Sequence, residues 1–136
     1  MRTLLGSLFG VVAALLIVAG AEWIETALYP LPALDVADSG TLAGIVADLP
    51  FPAKVLIVSG WLLGAGGGVW LGLRICDRRA VGWIVVAAVT AAALANVLTL
   101  PHPLWMKACA VVLPIVGGAL AMWRHRKPYA GEALLG

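Results

Sequence analysis

Apolar positions run almost unbroken along four stretches of this chain, and polar positions gather between them. The stretches cover about residues 4–28, 53–73, 80–100 and 104–123. Each comes close to the roughly 20 residues that a helix needs to cross the hydrocarbon of a bilayer. None alternates apolar with polar as a barrel strand does. In lipid, only helices and closed barrels satisfy every backbone group. The pattern therefore predicts an all-α protein, an integral membrane four-helix bundle forming one domain over residues 1–136, with a loop at 29–52 and a tail at 124–136.

The loop has a pattern of its own. Tyr29-Pro30-Leu31-Pro32 ends the first helix, because closely spaced prolines remove donors and extend the chain. Beyond it, Leu42, Ile45, Val46 and Leu49 recur at helical spacing. They predict a short helix, too short to span, lying at the outer membrane surface or folded over the bundle mouth as a lid.

Composition supports lipid as the solvent. The chain is 62% hydrophobic and 12% charged, against about 25% charged for soluble domains. Its mean hydropathy is +1.03. The start resembles a signal peptide in Arg2 and in Ala19-Gly20-Ala21. The apolar run Leu4 to Ala21 is longer than the 7–15 residues of such a region, however, and is expected to be retained as a span.

Charge orients the bundle. Arg2, Arg74, Arg78, Arg79, Arg124, Arg126 and Lys127 fall at one end, with Asp77 and Glu132. The other end holds Lys54 and Lys107 with Glu22, Glu25, Asp35, Asp38 and Asp48. Basic residues gather in cytoplasmic loops. Both termini are therefore expected in the cytoplasm of a bacterium, with the chain in its inner membrane and the 29–52 loop facing outward.

Small residues add a packing expectation. Gly60, Gly64, Gly68 and Gly72 recur every fourth residue along the second span, a glycine-zipper spacing that lets another helix backbone approach closely. Ala88, Ala92, Asn96 and Thr99 form a stripe on the third span that is expected to receive it. The first span, the fourth span and a second copy of the chain are the other candidate partners. Pro114 is expected to kink the fourth span. The six tryptophans are expected to mark the two interfaces, with Trp61 alone somewhat deep.

Candidate chemistry sits at the acidic end. Glu22, Glu25 and Tyr29 share one face of the first helix at i, i+3 and i+7. Glu22 lies ~9 Å below a helix end at Leu28, at 1.5 Å per residue. Carboxylates at such depth usually face a bundle interior or water. Asn96 and His102 lie at similar height on the third span and on the turn after it. These five residues are expected to converge on an outer polar pocket. The plainer alternative has the first helix ending near Ala21, with both glutamates in the interface. No metal-ligand spacing occurs. No cofactor and no nucleic-acid partner is expected.

The segment EWIETALYPLP, the glycine-rich second span and NVLTLPHPLW together resemble a class of small, uncharacterised bacterial four-span membrane proteins. That resemblance implies four helices and no activity. The favoured reading is a small non-enzymatic protein binding lipid or a protein partner, as an accessory or scaffold subunit or a homo-oligomer. A small oligomeric transporter or channel with an acidic mouth is one alternative, and a lipid-modifying intramembrane enzyme is another.

Overall fold

A computed structural model of the chain describes residues 1–30, 44, 48–100 and 102–125. Four helices carry them: α1 (Arg2–Leu28), α2 (Phe51–Ile75), α3 (Arg79–Thr99) and α4 (Leu104–Arg124). All four are long and apolar enough to cross a membrane, the make-up of a multi-pass membrane protein. α1 does not stop near Ala21 but continues through Glu22 and Glu25 to Leu28. Proline opens two of the helices: Pro50 and Pro103 cap α2 and α4 with extended backbone, where a missing N–H costs nothing. The expected surface helix and the basic tail lie outside the described residues, apart from Gly44, Asp48 and Leu49 in the first and Arg124 and His125 in the second.

Each helix runs antiparallel to the one before it. α2 is the hub, touching α1, α3 and α4, while α1 and α4 make no contact with each other. Gly60, Gly64, Gly68 and Gly72 are all buried, and their faces meet α1. A Cβ built at Gly64 would lie 2.9 Å from the Ala14 carbonyl oxygen, and one at Gly72 would lie 3.0 Å from that of Gly6. The partner stripe on α1 is Gly6, Gly10 and Ala14, again at four-residue steps, followed by Val18 and Ala21. The seam is therefore intramolecular: of the candidate partners α1 lines the glycine stripe, with Val85 and Val81 of α3 also reaching Gly68 and Gly72, and the small-residue stripe of α3 is not the one that receives it. Ala88 and Ala92 are instead half-buried and exposed. α3 packs through Val81, Val85, Val89, Ala93 and Val97. β-branched side chains hold few rotamers in a helix, which suits them to filling the groove between closely spaced backbones.

A second smooth face on α2 takes α4. Gly117 sits over the Leu62 carbonyl and Gly66, where any Cβ would strike the Leu62 oxygen. Gly118 abuts Val86 of α3. Gly64 and Gly66 are two residues apart, about 200° around a helix, so α1 and α4 are held on opposite sides of α2. The helix of α4 continues through the buried Pro114.

The core is apolar and small-residue rich, with Trp61, Leu73 and Met106 as its largest members. Lipid tails are as apolar as leucine, so close van der Waals packing, not water exclusion, holds such helices together. Trp61 departs from expectation. At 1% exposure it belongs to the core rather than to the interface belt, whereas Trp23, Trp70, Trp83, Trp105 and Trp123 face outward. Cys76 and Cys109 are both free.

Candidate polar cavity between α1 and α3

The two glutamates of the α1 end have different surroundings. Glu25 continues the inward stripe of α1, eleven residues or three turns beyond Ala14, and is 9% exposed. Its neighbour Thr26 places a hydroxyl 3.4 Å from Glu25 Oε2, and the same hydroxyl donates to the Glu22 carbonyl oxygen at 2.9 Å. Glu22 lies to the side of that stripe. It is half-buried and lines a cavity of about 190 Å³ between α1 and α3.

Leu15, Val18, Ala19 and Glu22 form the α1 wall of this cavity, and Val89, Ala92, Ala93 and Asn96 form the α3 wall. Trp61 of α2 also lines it, so the cavity rests on the hub helix. Two residues of the α3 small-residue stripe, Ala92 and Asn96, thus border a cleft. The volume is well above the ~10–15 Å³ that one water needs. Asn96 brings the second polar group: its Oδ1 is buried with no hydrogen-bond partner among the described residues. Glu22 and Asn96 therefore line one mostly apolar cavity, with Asn96 Oδ1 itself buried behind its surface. The Glu22 carboxylate is an acceptor, so the ligand chemistry that matches it is a hydrogen-bond donor, an ammonium or a hydroxyl group.

Of the five expected site residues, Glu22 and Asn96 line this cavity together. Glu25, Tyr29 and His102 are not among its lining residues. Tyr29 is half-buried just past the end of α1, with its backbone N–H donating to the Glu25 carbonyl at 2.8 Å. His102 is 7% exposed and serves the turn between α3 and α4. Its peptide N–H donates to the Leu100 carbonyl at 2.8 Å, and its Nδ1 lies 3.1 Å from the same oxygen. With the proton on Nδ1 the ring donates there. No group of three or more metal-ligating side chains occurs among the described residues.

Trp61 is the lining residue that the sequence reading placed elsewhere. Its depth carried the signal: ten residues from Phe51 is ~15 Å along a helix, too far in for a headgroup-level belt. No family model, curated protein or solved structure matches the chain.

Proposed function

We propose that the chain is a small non-enzymatic integral membrane protein that holds one amphipathic ligand, a lipid with a donor-bearing headgroup, in the cleft between α1 and α3. The observation that carries this reading is the shared cavity of Glu22 and Asn96, where an unpartnered amide oxygen is kept at a stability cost. The headgroup donor meets the Glu22 carboxylate beside Asn96, and an acyl chain lies along Leu15 and Val89. Following the basic residues, the Glu22 end faces the outer side of a bacterial inner membrane and both termini face the cytoplasm. The glycine stripe of α2 holds α1 in place, so any larger assembly uses the outward faces of α1 or α4. Transport is the weaker reading, because the middle of the core, at Ala14, Ala65, Val69 and Val89, is apolar.

The test is lipid retention. Purified in mild detergent from mixed vesicles, the full chain should keep ethanolamine-headgroup lipid in preference to choline-headgroup lipid, which has no N–H donor. A hydrogen bond to a charged group contributes ~1.5–3 kcal/mol, so the preference should be about tenfold or more. Glu22→Gln and Asn96→Leu should each reduce it. Equal retention of the two lipids by the unmodified chain would remove the donor-binding reading.

A further inference from the structure

The opposite end of the bundle holds a larger pocket with the reverse chemistry. It measures about 390 Å³ and is lined by Met1, Arg2, Thr3, Ile75, Cys76, Asp77 and Arg78. Arg2 enters from the first turn of α1, and Arg78 from the turn joining α2 to α3. Both are exposed, and among the described residues neither guanidinium has an ion-pair partner. The one carboxylate in the lining, Asp77, is engaged: its Oδ1 sits 2.7 Å from His125 Nε2 at the end of α4. Thr3 adds a hydroxyl, in contact with Cys76 Sγ at 3.7 Å. α3 begins beside the pocket with Arg78 as its cap. No side chain caps it, and its first turn has no acidic residue, so the positive end of its helix dipole adds to the potential there.

We propose that this pocket binds a phosphate group, supplied by the headgroup of an anionic phospholipid. Two arginines lining one pocket suit phosphate because each guanidinium presents paired donors in a fixed fork. The lipid is favoured as the source by what adjoins the pocket. α1 leaves it as Leu4, Leu5 and Leu8, which are 76%, 44% and 59% exposed. Acyl chains can lie along that surface while the phosphate meets Arg2 and Arg78. The basic end is the one expected in the cytoplasm, where anionic lipids give the leaflet its negative potential. The site is separate from the Glu22 cavity and depends on neither its ligand nor its function.

The experiment uses the full chain in neutral detergent. Short-chain dioctanoyl phosphatidylglycerol, dioctanoyl phosphatidylcholine and inorganic phosphate are titrated separately and followed by native mass spectrometry and calorimetry. The phosphatidylglycerol should bind at least tenfold more tightly than the phosphatidylcholine. Arg2→Gln with Arg78→Gln should abolish that preference, and Arg2→Lys with Arg78→Lys should keep part of it, since charge remains while the fork is lost. Arg124→Gln, at the same end but outside the pocket, should leave it within twofold. Helical content and elution volume identify a variant that fails to fold, and the lysine pair then decides. Equal binding of the two lipids, or an undiminished preference in a folded double-glutamine variant, would overturn the proposal. Inorganic phosphate binding as tightly as the phosphatidylglycerol would overturn the lipid as source.

Discussion

A buried amide oxygen without a donor costs about 1–3 kcal/mol, and Asn96 Oδ1 is in that position. Leucine is close to asparagine in size and carries no such penalty. Asn96→Leu should therefore raise the stability of the detergent-solubilised protein by about 1 kcal/mol while weakening lipid retention. Thermal unfolding followed by tryptophan fluorescence measures the first effect, and a lower midpoint would mean that Asn96 already has a partner inside the protein. Glu25 differs from Glu22 although the two are one turn apart. Its side chain is packed on the inward face, so Glu25→Gln should affect stability without changing which lipid is retained. The pair looks alike in sequence because spacing records the helix face only to within a quarter turn. What separates them is where α2 and α3 end up around α1.

At the scale of the helices, glycine is used for proximity. A Cβ at Gly68 would strike the Gly10 carbonyl and lie 2.6 Å from Ala14 Cβ. Neither neighbour can yield without moving a helix. Gly68→Ala should therefore destabilise by about 1–3 kcal/mol, as overpacking does, and Gly117→Ala should do the same at the α2–α4 contact. Gly67 meets only the end of the Ile17 side chain at 2.6 Å, so Gly67→Ala should be milder. Gly20, inside α1, has nothing within 4 Å of its would-be Cβ. There, alanine should stabilise by about 0.5–1 kcal/mol through helix propensity. Denaturation of the four variants in one detergent orders them, and a neutral Gly68→Ala would mean that α1 does not sit on the glycine stripe. The stripe on α2 is plain in the sequence. The matching Gly6, Gly10 and Ala14 on α1 are just as regular but sit inside a run of leucines, where they read as ordinary span residues.

For the molecule as a whole, the asymmetry of charge sets the expected orientation. Asp48→Cys and Arg124→Cys, introduced singly with Cys76 and Cys109 replaced by alanine, place a thiol at each end. A membrane-impermeant maleimide applied to intact cells should label the Asp48 position, and the Arg124 position only after permeabilisation. The opposite pattern would invert the topology and move the anionic-lipid pocket to the outer leaflet. The hub arrangement also has a consequence for assembly. Because α1 and α4 lie on opposite sides of α2, both present wide apolar faces, including Leu16 and Trp23 on α1 and Leu120 and Trp123 on α4.

Helix number, helix limits to within a few residues and the polarity of the two ends were all legible in the sequence. They follow from local length, hydropathy and charge, which act on each segment separately. The identity of the partner for the glycine stripe was not, because several spans carry small residues at the same spacing and spacing alone cannot rank backbones that approach one another. Nor was the grouping of Glu22 with Asn96 apart from Glu25 and His102. That grouping arises because Gly64 and Gly66 point to opposite sides of α2. They send α1 and α4 apart and leave α3 to face α1 across Trp61, with a cleft where two polar side chains from distant segments meet.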